Sequence, residues 1–364
     1  MFLGDTINSV KIPKLQIGSI TADIPIIQGG MGVRVSLASL ASAVANEGGI
    51  GTISSIGLGD VEASKREYET QSREALIREI RRAREMTDGH LAVNFMGVLS
   101  NVDDLIKAAL SEGIQMIVFG AGLPTKLPSL VDEGSANLVP IVSSSRVAEL
   151  ILRTWDKRYG RTADGLILEG PLAGGHLGFS EEQISQSEKF SLEILLPEVL
   201  EVVKPYEDKY GRKIPIITAG GIFDGNDIAR MLSLGASGVQ MATRFVCTVE
   251  CDVSEAFKQA YLECSEEDIV IIKSPVGMPG RVLRNKFMKD VENHDGGKIK
   301  CFYRCLSACK IEEARFCIAL ALVNAYLGDL DHGLIFCGQN AYRINEIVTV
   351  KELITELLTG LNAA

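Results

Sequence analysis

The segment that decides the fold runs from Ile214 to Phe245, IPIITAGGIFDGNDIARMLSLGASGVQMATRF. Ile214 to Ala219 is an apolar run too short for a helix, and Gly220-Gly221 ends it. Asp224 stands where an N-cap belongs, ahead of a helical-period stretch over 224–234, and a second apolar run follows over 238–242. Strand, helix and strand in that order form a βα unit. Both runs are continuously apolar instead of alternating, as parallel strands covered on both faces require.

The same alternation extends outward in both directions. Strands are predicted over 24–29, 50–54, 91–96, 116–121, 138–143 and 165–169, besides 214–219 and 238–242. Amphipathic helical segments are predicted over 36–48, 63–87, 102–112, 124–133, 145–159, 181–209, 224–234 and 254–265. Eight such units predict an α/β chain folded as a TIM (β/α)8 barrel, in which ligands bind at the carboxyl ends of the strands. Asn94, Gly120, Ser143, His176, Gly220 and Thr243 then share one rim. A doubly wound sheet is the competing arrangement, and it leaves the count of eight unexplained. The barrel is assigned to residues 1–266, with a charged helical insert near 64–89, and a further segment to 267–364. In that segment Pro275, Gly277, Pro279 and Gly280 predict a loop, 300–328 one long helix, 342–348 a short extended piece and 350–360 a final helix. A lid beside the barrel mouth, plain packing and a homodimer contact all fit it.

Composition narrows the partners. The chain has 364 residues and a net charge of −10, from 37 Lys+Arg against 47 Asp+Glu, with no basic stripe for a phosphate backbone. Nucleic acid is therefore not an expected partner. No basic leader with an apolar core and no membrane-length apolar run is present, so a soluble cytoplasmic protein is expected. All eight cysteines lie from Cys247 onward. Cys301, Cys305 and Cys309, with Cys317 two turns on, would form one stripe of the predicted helix. A stripe invites a metal or cluster, but three thiolates on one straight helix converge poorly on one ion. Small buried hydrophobes are the favoured reading, with no metal expected.

The chemistry concentrates in ADGLILEGPLAGGHLG at 163–178, where an apolar strand ends in a glycine turn presenting His176. Gly174 and Gly175 let backbone lie close against a flat ligand, and an imidazole is suited to proton transfer near neutral pH. His90, His294 and His332 read as surface or capping residues. Gly220-Gly221 with Ala242 and Thr243 read as a phosphate cradle after the last two strands, at the end of the run holding Gln240 and Met241. IIQGGMG at 26–32 places Gly29, Gly30 and Met31 as a flat wall, beside Asn94 with its amide for ring heteroatoms. An anion site and glycine-backed walls on one rim describe a flavin mononucleotide pocket.

Taken in order, PIIQGGMG, LAVNFM, EGPLAGGHLG, TAGGIFDG and GVQMATRF resemble the nitronate monooxygenase family, formerly 2-nitropropane dioxygenases, and the similar FMN-dependent enoyl-ACP reductases. Weaker similarity continues through KSPVGMPGR at 273–281. The resemblance implies non-covalent FMN, with its phosphate on Gly220, Gly221, Ala242 and Thr243. Its ring would lie near Gly29, Gly30, Met31, Asn94 and Gly122, with His176 as the catalytic group moving a proton. It implies oxidation of alkyl nitronates with O2, or alternatively reduction of an enoyl thioester by NAD(P)H. The second activity would call for an acyl carrier protein at a basic mouth, for which Arg244, Lys273, Arg281, Arg284 and Lys286 are candidates. A barrel binding a phosphate ligand without redox chemistry is the alternative from another class. One departure stands out: Leu172 replaces the family's usual carboxylate four residues before the histidine. Glu169 could compensate only if it faces the same space.

Overall fold

A computed structural model describes residues 12–293, 299–302 and 304–364. The surface-loop reading of His294 lies outside them. The described chain opens with a hairpin of β1 (Leu15–Ile17) and β2 (Ile20–Ala22), in which apolar residues alternate with exposed ones. The barrel follows: β3 (Ile26–Gln28), α1 (Ala38–Asn46), β4 (Ile50–Ser54), α2 (Lys65–Met86), β5 (His90–Met96), α3 (Val102–Ser111), β6 (Met116–Gly120), β7 (Asn137–Val142), α4 (Ser145–Tyr159) and β8 (Leu166–Glu169). Past β8 come a two-residue strand β9 (Gly175–His176), α5 (Glu181–Ser185), α6 (Leu192–Tyr210), β10 (Ile216–Ala219), α7 (Gly225–Ser233), β11 (Gly238–Met241), the short α8 (Thr243–Val246) and α9 (Glu255–Glu263). Strands β3 to β8, β10 and β11 close into a parallel barrel, with β11 pairing β3 to complete the ring. The TIM barrel read from the sequence is the fold.

The interior of the ring is packed. Ile27, Ile50, Ala92, Met116, Val118, Val139, Ile167 and Ile217 fill it. Leu15, Ile17 and Ile20 of the hairpin belong to the same cluster, so the hairpin plugs the barrel floor. A second cluster fills the space between strands and helices, with Trp155 fully buried and its indole N–H donating to Pro124 O at 2.8 Å. The charged segment near 64–89 is α2, the helix that joins β4 to β5, packed against α1 and α3. Between β6 and β7 the helix predicted over 124–133 is only a 3-10 turn, Leu127–Ser129. Pro128 sits in that turn, and a proline there leaves no interior amide to extend the helix. The stretch predicted as one helix over 181–209 splits in two, because Ser180 and Ser191 each start a helix.

Beyond the barrel lie β12 (Ile269–Lys273), β13 (Pro279–Leu283), α10 (Lys286–Asn293), α11 (Ile318–Leu327) and α12 (Val350–Ala363). The predicted loop around Pro275 is in fact the turn of the β12–β13 hairpin, with Pro279 and Gly280 already inside β13. The predicted helix over 300–328 forms only as α11. Ahead of it the backbone makes only isolated turns and bonds at two points to the loop after β5: Ser100 N–H donates to Cys305 O at 3.1 Å and Ser307 N–H to Val98 O at 2.8 Å. The extended piece expected over 342–348 is reduced to a 3-10 turn, Ala341–Arg343, and one bridge from Val348 to Thr248. The final helix is present and packs on α7 and α1. No helix among the described residues is long and apolar enough to cross a membrane.

Because Ile17 is completely buried under the barrel, Ile17→Ala should lower stability by roughly 2–5 kcal/mol. A denaturant-unfolding midpoint unchanged from the parent chain would mean that the hairpin is not a plug.

Candidate active site

The carboxyl ends of the barrel strands surround a cavity of about 280 Å³. Gly29, Gly30, Met31, Asn94, Gly174, Gly175, His176, Gly220, Gly221, Gln240, Met241, Ala242 and Thr243 all line it. Gly122 does not: its backbone lies against Gly97 in the turn after β6, while Gly120 and Ala121 reach the cavity. Ser143 also stays outside, donating its hydroxyl to Gly178 O at 3.0 Å.

Each wall has a local cause. Gln28, fully buried at the end of β3, accepts from Thr52 N–H at 2.9 Å and donates to Gly29 O, which fixes the start of the glycine turn. A Cβ on Gly30 would stand 2.3 Å from the Asn94 Cβ, so the turn can sit on Asn94 only as glycine. On the opposite side Gly220 and Gly221 have φ of +94° and +82°, the left-handed region that glycine adopts without strain. Asp224 caps α7 as read from the sequence, accepting from Asn226 N–H at 3.0 Å and Asp227 N–H at 3.2 Å.

His176 is placed by the segment beyond the barrel. As part of β9 it pairs with Gly280 of β13, and Gly175 pairs with Arg281. Its Nε2 lies 2.7 Å from Ser274 Oγ, and its ring meets the Phe336 ring edge-on at 4.9 Å between centroids. Burial without a compensating charge lowers its pKa to about 4, so the imidazole is neutral at physiological pH.

Arg281 is buried and donates to Pro171 O at 2.8 Å and to Ala173 O, which clamps the glycine loop from behind. From above, Gln339 N–H donates to Leu172 O at 3.1 Å, Gly338 N–H to Thr243 Oγ1 at 3.1 Å and Asn340 Nδ2 to Gly221 O at 2.7 Å. Glu169 and Leu172 both line the cavity, so they do face the same space. Leu172 sits in a turn, where the strand's alternation no longer governs direction. Glu169 opens onto the cavity. Burial raises its pKa to about 8, with the Arg281 charge pulling part of the way back.

Sequence reading missed Ser274, Phe336, Gln339 and Asn340. Only SPVGMPGR had hinted at this region, through its likeness to the family motif. Of the basic residues expected at the mouth, Lys273 is exposed and the others have partners. Arg281 is buried in the loop clamp, Arg244 pairs with Glu356 at 2.7 Å, Arg284 with Glu292 at 2.7 Å and Lys286 with Asp331 at 2.9 Å. His90 faces Thr21 O at 3.1 Å and His332 pairs with Asp329 at 2.9 Å, both away from the cavity.

Residues 14–360 match the nitronate monooxygenase family. Among curated relatives, the (3aS,4S,5R,7aS)-5-hydroxy-7a-methyl-1-oxo-octahydro-1H-indene-4-carboxyl-CoA dehydrogenase of Mycobacterium tuberculosis is 30% identical over 269 residues, which is 74% of this chain and 65% of that protein's length. The chain thus spans less than two thirds of that relative. A probable nitronate monooxygenase of Staphylococcus aureus is 26% identical over 304 residues, 76% of this chain and 80% of the relative. Among solved structures, FabK from Thermotoga maritima superposes with a TM-score of 0.71 at 31% identity, covering 93% of both chains.

The protonated Glu169 carries a stability signature. The folded chain holds a proton that the unfolded chain releases above about pH 4.5, so stability falls as pH rises from there through about 8. Glu169→Gln should be the more stable protein at pH 8 and should lose that decline. Parallel melting-temperature profiles of the two proteins across this window would show that Glu169 is ionised when folded.

Proposed function

The chain belongs to the nitronate monooxygenase family, and from that premise we propose that it is an FMN-dependent oxidoreductase that oxidises alkyl nitronates with O2. The observation that carries this reading is His176, neutral and braced by Ser274, on the wall of a cavity whose facing walls are glycine backbone.

The cavity residues fit a flavin. The glycine turns after β3 and β10 leave flat backbone where side chains would intrude, and the buried Gln240 Oε1 on the cavity wall has no hydrogen-bond partner within the protein. Gly29, Gly30, Met31 and Asn94 would hold the ring side, and Gly220, Gly221, Ala242 and Thr243 the phosphate. With Asp224 occupying the first amides of α7, the anion would rest on the glycine turn and the α8 start. When bound, FMN supplies acceptance of electrons from the nitronate and their passage to O2. The protein's part is orientation and proton handling. Ser274 Oγ holds His176 at Nε2 and gives the ring a fixed direction, which leaves Nδ1 of the neutral imidazole to take up a proton. Glu169 in its protonated form and Leu172 keep negative charge off the wall, which favours an anionic nitronate over a neutral nitroalkane. In this reading residues 1–266 carry the flavin and 267–364 close the mouth.

A second reading is redox chemistry on a thioester with NAD(P)H, and the carboxyl-CoA dehydrogenase among the relatives is the observation that favours it. Anaerobic mixing separates the two. Bleaching of the flavin by propyl nitronate supports the monooxygenase, and bleaching by NADH or NADPH with reoxidation by an enoyl thioester supports the reductase. A colourless protein that takes up no added FMN would sink both.

His176→Ala should retain FMN and lose roughly 100-fold or more in turnover. Turnover equal to the parent would remove the imidazole from the mechanism. Because the imidazole takes its proton only near pH 4, the parent should show no acidic limb at the ordinary histidine value of 6.5. A rate that halves near pH 6.5 and is flat in the alanine variant would contradict the buried, neutral ring.

A further inference from the structure

Four of the eight cysteines, Cys301, Cys305, Cys309 and Cys317, are spaced C-x3-C-x3-C-x7-C. The objection to a metal site was that a straight helix cannot make such a set converge. Residues 301–317 contain no helix among those described, and all four side chains line one small cavity together with Ile299, Leu306, Ile311 and Phe316. Cys305 lines this cavity and the main one, so the two share a wall.

We propose that Cys301, Cys305, Cys309 and Cys317 are the ligands of an iron–sulfur cluster set in the wall of the main cavity. Three alternatives fare worse. As small hydrophobes these cysteines are poorly placed: Cys301 is exposed, and the other three are only partly buried, Cys305 and Cys309 at the edge of the core, whereas Cys247, Cys251 and Cys337 are fully buried. Disulfide bonds are absent from all eight. A single zinc ion needs its thiolates about 2.3 Å from one point, and among the described residues no three potential ligands surround such a point. A cluster differs in that its irons occupy separate corners. It takes thiolates set around one space, and these four cysteines line one cavity.

The surroundings agree. The backbone at Cys305 is fixed by its bond from Ser100 N–H and by the neighbouring Ser307–Val98 bond, so one ligand position is rigid. The apolar residues around the four would shield the sulfide from water.

The test is to purify the full chain anaerobically and measure iron, acid-labile sulfide and zinc, before and after reconstitution with ferrous iron and sulfide. Iron and sulfide in equal amounts, about two or four of each per chain, with a paramagnetic signal after dithionite reduction, is the expected result. Cys301→Ser, Cys309→Ser and Cys317→Ser should each lose at least half of the iron, while Cys264→Ser keeps it. Cys301 is exposed, so its replacement cannot collapse the core, and a circular-dichroism spectrum unchanged from the parent assigns the loss to the ligand. The proposal fails if no iron with sulfide is bound, if one zinc is bound without sulfide, if the four form disulfides, or if the serine variants retain the parent's iron.

Discussion

The buried guanidinium of Arg281 is the constraint on which the site depends. A charge taken out of water is tolerated only where polar groups replace the water, and here Pro171 O and Ala173 O do so. Those carbonyls belong to the glycine loop that carries His176, while Arg281 belongs to the hairpin beyond the barrel. One side chain therefore fixes the distance between two parts of the chain that are more than a hundred residues apart. The ladder from β13 to β9 and the contact from Ser274 to His176 both follow from that distance. Arg281 stays charged, since burial lowers its pKa only to about 10. That charge also keeps the Glu169 carboxyl from rising further.

This clamp explains why the histidine was readable from sequence and its surroundings were not. GGH after an apolar strand is a local signal, since two adjacent glycines have few other reasons to precede a lone imidazole. The partner hydroxyl, the edge-on phenyl ring and the arginine come from 274, 336 and 281, and no spacing rule links those positions to 176. The barrel was legible for the opposite reason: each βα unit is written in one continuous stretch of chain, and the eight apolar runs need no distant information. Where the sequence misled, a long-range bond had displaced a local preference. The stretch 300–317 has a plausible helical period, but Cys305 O and the Ser307 amide are taken by the loop after β5. Pro275 to Gly280 has strong breakers, yet a hairpin turn satisfies them without ending the strand that follows. Gly122 has the glycine signature of a ligand wall, but its close neighbour is the backbone of Gly97.

The two halves of the cavity differ in a way that bears on what it accepts. The barrel contributes the glycine turns, fixed by the ring closure, together with large side chains such as Met31, Tyr68, Phe95 and Phe223. The segment beyond the barrel contributes Phe336, Gln339, Asn340, Leu322 and Leu334, which are side chains of distinct shape. Both parts can therefore shape substrate choice, and the turns of the appended segment can vary without disturbing the barrel ladder. The replacement of a carboxylate by Leu172 belongs to the same surface, since Leu172 O is held by Gln339 N–H from that segment. A change at 172 and the identity of the residues at 336–340 are therefore parts of one wall. An argument about substrate choice has to treat them together, with the neutral Glu169 beside them setting how little negative charge that wall presents.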